Sequence, residues 1–332
     1  MTIQDVLKIF EDTQASFVLL LCHQNADLDA LCSAYAFQGL LKHLAPITVV
    51  EIGAGEGISK LSKHILSHLP ITVSEKPKVE NAEVLVLIDT NTIQQLGELA
   101  ETVAKSSAPI IVIDHHAPHP DTLEKARLSI TNENSPSTCE MIYQLFKQVN
   151  IQPTENEAKA MFLGIAFDTR HFVLADSSTL KTIAELCDFG VNPQETLELL
   201  SLPMDSSERL ARIKACRRAK LVKMGNWIIA FSHVSAFQAS AARALVDLGA
   251  HAAAVAGQRE DNVEVSFRCT REFIKETGTH LGKDIAKPLG DLLQNGMGGG
   301  HAGAAGANGV GDTETALKHC LSLFKDKLSK TA

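Results

Sequence analysis

Apolar runs of five or six residues recur through the first third of the chain: FVLLLC at 17–22, ITVVEI at 47–52, VLVLI at 84–88 and PIIVI at 109–113. They are continuous rather than alternating and rich in β-branched residues, which predicts parallel strands covered on both faces. Between them ALCSAYAFQGLLKHL (30–44) and GISKLSKHILSHL (57–69) space their apolar residues as helices do. The alternation predicts an α/β domain with a doubly wound, mainly parallel sheet. From 137 to 200 the pattern becomes helical (STCEMIYQLFKQV, ENEAKAMFLGIAF, STLKTIAELCDFG), and SSERLARIKACRRAKLVKM (206–224) reads as one further basic helical stretch. WIIAFSHV, AAAVAGQ and VEVSFRC then read as strands, with AFQASAARALVDLG as a helix between the first two. A smaller mixed α/β C-terminal domain results.

Length supports the division, because 332 residues exceed what one ordinary core organises. The breakers NPQE and SLPMDSS place a first domain at 1–195, a linker at 196–212 and a second domain at 213–332. A content of 45% hydrophobic and 21% charged residues describes a folded globular chain, and no apolar stretch is long enough to span a bilayer. The N-terminus MTIQDVLKIFEDTQ lacks the basic and apolar regions of a secretory signal, so a cytoplasmic location without a membrane partner is expected. Seven cysteines form no CxxC pair and read as packing residues. A formal net charge of −8 argues against a protein that coats extended nucleic acid, but leaves room for a small phosphorylated substrate.

The polar residues gain meaning from where they fall. FVLLLC runs into HQNADLDA (23–30), VLVLI into Asp89, and PIIVI into Asp114, His115 and His116. In an open parallel sheet, ligands bind outside the carboxyl ends of the strands. Asp168 follows the apolar helical segment AKAMFLGIAF as a fourth station. Each piece alone has an ordinary reading, as a helix cap or a polar turn. Together they crowd carboxylates that would repel one another unless cations lay among them. Hard carboxylates with a few imidazoles and no thiolate suit Mn²⁺, with Mg²⁺ or Co²⁺ as alternatives, and six or more ligands suffice for two divalent ions.

HQNADLDA, the strand-terminal Asp89, DHH at 114–116 and FDT at 167–169 resemble the four motifs of the DHH phosphoesterase superfamily. VSFR (265–268) and GGGH (298–301) resemble its DHH-associated C-terminal domain, so the likeness spans nearly the whole chain. The resemblance implies one metal held by His23, Asp27 and Asp89 and another by Asp29, Asp89, His115 and Asp168, with Asp89 shared. It implies that His116 faces the scissile phosphate and that Asp114 fixes a histidine tautomer. From the second domain Ser266, Arg268, His301 and the backbone of Gly298, Gly299 and Gly300 are expected to bind substrate. The chain departs from the motifs at Ala26, where proline is usual, and at Arg170, where many relatives have glycine; Arg170 is a candidate phosphate contact.

The expected activity is hydrolysis of a short oligonucleotide or small phosphorylated nucleotide by metal-assisted water attack. Cyclic dinucleotide hydrolysis and single-strand exonuclease action are the nearest alternatives. Pyrophosphate hydrolysis ranks lower, because VSFR and GGGH look nucleotide-binding, and a binding scaffold without turnover is the non-enzymatic alternative. Homodimerisation stays open. His64 and His68, four apart on a helix, read as a solvated face. The basic residues from Arg209 to Lys223 read as an amphipathic linker helix whose apolar side includes Leu210, Ile213, Leu221 and Val222.

Overall fold

In the computed structural model, which describes residues 2–329, the four apolar runs form strands β1 (Phe17–Leu21), β2 (Val49–Gly53), β3 (Val84–Ile88) and β4 (Ile110–Asp114). A fifth strand, β5 (Ala126–Thr131), was not legible as ARLSIT, because it lies at the sheet edge and buries no continuous apolar run. All five are parallel, in the order β2-β1-β3-β4-β5.

Alternate residues of each strand serve two cores. Val18, Leu20, Val84, Val86, Ile88, Ile111 and Ile113 pack with the helices Leu28–Leu44, Thr138–Gln148 and Glu155–Asp168. Leu19, Leu21, Leu85, Leu87 and Val112 face the opposite layer, with Ile93, Leu96 and Val103. Fully burying one such side chain stabilises by about 1.5–3 kcal/mol, which accounts for the unbroken apolar runs. The chain leaves β1 for β2 on one side and continues from β3 to β4 on the other, so β1 and β3 flank a topological switch point.

The chain separates into two compact units between Leu202 and Pro203, inside the segment read as a linker. Of that segment, the helix Pro193–Glu198 belongs to the first unit and the helix Ser206–Arg218 to the second. The second unit is a six-stranded mixed sheet ordered β10-β11-β9-β8-β7-β6. Its strands are β6 (Lys220–Met224), β7 (Trp227–His233), β8 (Ala252–Arg259), β9 (Asn262–Cys269), β10 (Gln294–Gly300) and β11 (Ala304–Val310).

Two expectations are corrected here. The basic stretch 206–224 is not one helix: it ends at Arg218, and KLVKM pairs antiparallel with β7. Nor do Leu210 and Ile213 form a buried side, since they are 53% and 65% exposed, and Ala211 and Ala215 are the buried positions. Strands β10 and β11 escaped notice because QNGMGGG and AAGANGV carry almost no β-formers. Their glycines admit close packing instead. A Cβ on Gly298 would strike the carbonyl of Ala286, and one on Gly282 the backbone of Gly300. Among the described residues no helix is long and apolar enough to cross a membrane.

Candidate metal centre

Three strand ends and one helix end bring the acidic and imidazole residues together in the first unit. His23 follows β1, and Asp27 caps the helix Leu28–Leu44 through Ala30 N, which donates to Asp27 Oδ1 at 3.2 Å. The capping role expected of an isolated Asp is therefore real for Asp27, and it coexists with a second one. His23 Nε2 lies 3.7 Å from the same Oδ1. Asp29, in the first turn of that helix, is fully buried. Asp89, just past β3, adopts φ of 52°, a left-handed conformation that re-aims its side chain at the strand end. His115 Nε2 lies 3.7 Å from Asp89 Oδ1 and 3.2 Å from Asp168 Oδ2. Asp168 is the last residue of the helix Glu155–Asp168.

Ligand atoms fall into groups whose members lie within 4.8 Å of one another: His23, Asp27 and Asp89; Asp29, His115 and Asp168; and Asp89, Asp114, His115 and His116. The first two match the expected ligand sets, apart from the place of Asp89 in the second. Asp89 instead links the first group to the third.

His115 tests whether a cation fits. Its Nδ1 is 3.2 Å from the Ser135 carbonyl, which fixes the proton there and leaves Nε2 a lone pair. Nε2 is buried and forms no regular hydrogen bond, although it lies 3.2 Å from Asp168 Oδ2; in the absence of a cation a proton can take that place, since burial opposes protonation but Asp168 and Asp89 outweigh it and raise the imidazole above its ordinary value. A buried, unsatisfied imidazole nitrogen between two carboxylates is costly without a partner, and a divalent cation supplies one. The donor set of oxygen and imidazole nitrogen suits such an ion.

The electrostatics agree. Burial first, then the charges of Asp114 and Asp27, push the Asp89 carboxyl up to about 7. Burial and the Asp89 and Asp168 charges raise Asp29 as well. Burial opposes protonation of His23, but the Asp27 carboxylate and the Gln24 carbonyl outweigh it and raise the imidazole to about 9. Burial, followed by nearby carboxylates, keeps the thiols of Cys22, Cys32 and Cys139 above their ordinary range, so they pack as neutral groups.

A pH dependence follows. A carboxyl raised in the folded state holds a proton that the unfolded chain releases, so its stabilising effect fades between its ordinary value and about 7. His23, raised to about 9, adds stability that is full below its ordinary value and is lost through that pH. Both act in one direction. The melting temperature of metal-free protein should fall by several degrees from about pH 5 to about pH 8.5, and Mn²⁺ should restore it most at the alkaline end. A flat metal-free profile in thermal melts would count against this electrostatic picture.

Thr138 and Cys139 were not foreseen. Thr138 N donates to Asp29 Oδ2 at 2.6 Å and Cys139 N to Asp29 Oδ1 at 3.0 Å, while Thr138 Oγ1 donates to Asp89 Oδ1 at 2.8 Å. The start of the helix Thr138–Gln148 thus receives Asp29, as helix N-termini receive anions. The one sequence signal was the capping pattern SPSTCE, in which Ser137 accepts from Glu140 N. Gly164 gives the helix Glu155–Asp168 its close approach, since a Cβ there would strike Cys139 Sγ and lie 2.9 Å from Asp29 Oδ1. Gly164→Ala should destabilise by about 1–3 kcal/mol and weaken Mn²⁺ binding, read by urea melts and calorimetry.

His116 is half-exposed beside the cluster, and its Nδ1 and backbone N each donate to Asp114 Oδ1 at 2.8 Å. The Asp114 bond, with burial and the His115 charge opposing it, raises the imidazole above its ordinary value. Arg170 is exposed and begins a run of three left-handed residues, Arg170, His171 and Phe172. In the second unit, Arg268 lies on β9 with a buried Nε that has no partner, while its Nη1 donates to the Phe267 carbonyl at 2.8 Å. Ser266 is buried on the same strand and His301 is exposed. Of the three glycines only Gly299 opens onto free space; Gly298 and Gly300 are packed against backbone.

A model of the DHH family, N-terminal domain, matches residues 17–165. An uncharacterized protein of Methanocaldococcus jannaschii, MJ0988, is 36% identical over 326 residues, which covers 96% of this chain and 95% of that protein. A probable manganese-dependent inorganic pyrophosphatase of Streptococcus agalactiae is 27% identical over 207 residues, 59% of this chain and 63% of that protein. Among solved structures, an exopolyphosphatase-related protein from Bacteroides fragilis shares the fold with a TM-score of 0.63 at 20% identity, covering 99% of this chain and 95% of that one.

Proposed function

This chain belongs to the DHH family, and on that premise we propose that it is a divalent-metal phosphoesterase that hydrolyses short oligonucleotides or small phosphorylated nucleotides. The observation that carries the reading is His115 Nε2, buried and unbonded among Asp89, Asp168 and Asp29. One cation would be held by His23, Asp27 and Asp89 and a second by Asp29, His115 and Asp168; Asp89, whose Oδ1 lies 3.7 Å from His115 Nε2, is the carboxylate proposed to be shared with that second site. Bound there, such ions supply Lewis-acid charge and make water acidic enough to attack a phosphorus ester. The manganese-dependent relative supports Mn²⁺ as the metal.

The chain's own residues supply the rest. Asp114 holds the His116 ring through Nδ1 at 2.8 Å, so Nε2 is the nitrogen left to meet solvent or substrate. An imidazole whose protonation is favoured presents positive charge to a phosphate oxygen and a proton to a departing alkoxide. Thr138 steadies Asp89, and Ser135 sets the tautomer of His115. In the second unit the unpartnered Arg268 Nε supports a phosphate contact there.

A second reading, hydrolysis of inorganic pyrophosphate, draws on the relative's printed activity. One panel separates the two: 3′-phosphoadenosine 5′-phosphate, a dinucleotide, a longer single strand, a cyclic dinucleotide and pyrophosphate, each with Mn²⁺ and with EDTA. Preference for the first two in Mn²⁺ is the expected result. Turnover of pyrophosphate alone would replace it with the second reading, and binding without any turnover would favour a scaffold.

A further inference from the structure

The helix Gln238–Asp247 covers part of one face of the second unit's sheet, where Ala241, Ala242 and Leu245 pack on Ala253 and Val255. Antiparallel pairing sets Arg268 opposite Ala253 and Ser266 opposite Val255, so both point to that same face, beside the helix. Across the sheet from Ser266 come Gly306 and then Gly299, where no side chain covers the surface. A hollow of about 290 Å³ opens there. Arg268 Nη1 donates to the Phe267 carbonyl at 2.8 Å, which pins the guanidinium. Among the described residues Arg268 Nη2 and Ser266 Oγ have no hydrogen-bond partner, and neither atom is sealed from solvent.

Arg243, which stands in no motif, belongs to the same place. The Gln238 side chain lies over Gly257, where a Cβ would strike it. Because β7 and β8 are parallel, the helix that joins them runs back against β8. Five residues on, about 7.5 Å along the helix, Arg243 comes level with Val255 and Ser266, which lie two residues or about 7 Å back along the strands. Arg243 is exposed, and among the described residues neither arginine has an ion-pair partner. Burial first, and then the Arg243 charge, lower the Arg268 guanidinium from its ordinary value. Two like charges beside one free hydroxyl repel until an anion comes between them, and a dianion gains from both.

We propose that Arg243 is a specificity-determining residue that joins Arg268 Nη2 and Ser266 Oγ around a phosphate monoester dianion, so that a short nucleotide with a terminal phosphate is preferred over one without it. That the ligand is a nucleotide rests on the phosphoesterase reading; that it carries a phosphate follows from the two arginines. Glu264 and Asn308 line the far end of the hollow, where a carboxylate and an amide fit the hydroxyl or amino groups of a nucleoside rather than a second phosphate.

The test is calorimetric titration of the full chain, in EDTA, with 5′-adenosine monophosphate and with adenosine. Without metal the carboxylates of the first unit repel a phosphate, so the second unit is what the titration reads. Saturable binding of the monophosphate at one site is expected, with adenosine at least about tenfold weaker. Arg243→Gln should weaken the monophosphate about tenfold or more and leave adenosine unchanged, and Arg243→Lys should recover part of the loss. The exposed position lets these variants fold, and Arg217→Gln, an exposed arginine of the helix Ser206–Arg218, controls for net charge and should bind as the parent does. Absence of saturable binding, equal affinity for monophosphate and adenosine, or equal affinity of Arg243→Gln and parent would overturn the proposal. Nothing is hydrolysed in EDTA, so a failure of nucleotide turnover and a failure of this site are read separately.

Discussion

Asp89→Asn is expected to lower kcat/KM by on the order of 10³ or more while leaving the metal-free protein as stable as the parent, or more so. Asparagine fits because it tolerates the left-handed φ of 52° that Asp89 adopts, where alanine would add strain. Its amide oxygen still accepts from Thr138 Oγ1, which lies 2.8 Å from Asp89 Oδ1. What disappears is a negative charge that burial and the Asp114 and Asp27 carboxylates already oppose. Without metal that charge is a liability, so its loss costs no stability. With metal it is a ligand beside His23 and Asp27 and lies 3.7 Å from His115 of the second group, so on the shared-carboxylate proposal its loss removes charge from both sites. Steady-state kinetics in Mn²⁺ and thermal melts in EDTA read the two effects separately. A variant retaining most of its activity would rule out a shared carboxylate at Asp89.

Asp29→Ala should behave differently, losing both activity and stability. Asp29 accepts the backbone N–H groups of Thr138 and Cys139, at 2.6 and 3.0 Å, in a fully buried setting. Removing the carboxylate leaves two buried donors without partners at the start of a helix, each costing about 1–3 kcal/mol. A loss of about 2–5 kcal/mol in EDTA is therefore expected in urea denaturation, together with loss of Mn²⁺-dependent turnover. Asp29→Asn keeps an acceptor for one donor and should recover part of the stability but none of the activity. Equal stability of parent and alanine variant would mean that the helix start does not depend on Asp29.

These two aspartates show what the sequence disclosed and what it withheld. The strands that end at Leu21, Ile88 and Asp114 are legible because burial on both faces demands continuous apolar residues. Once those strands are placed, their tips carry the polar residues to one edge of the sheet, and the ligand groups follow. Which carboxylate is held by which backbone group was not legible, because Thr138 reaches Asp29 across 109 residues of chain and no local pattern encodes that contact. Strand β5 was missed because an edge strand buries little, and β10 and β11 because glycine and alanine carry no strand preference. The glycines at 298–300 suggested phosphate binding, whereas two of the three serve close packing of backbone on backbone. The basic helix misled in the opposite sense. Its leucine and isoleucine face outward, while Arg212 Nε donates to Ser240 Oγ at 2.7 Å and Arg218 Nη1 to the His233 carbonyl at 3.2 Å.

The measurement that bears most directly on the metal-dependent reading is restoration of Mn²⁺ to EDTA-stripped protein, with bound manganese counted and dinucleotide hydrolysis assayed in the same samples. Activity should be absent at the start and rise in step with occupancy, saturating at two ions per chain. Hydrolysis that persists in EDTA, or protein that stays inactive and binds no manganese, would contradict it.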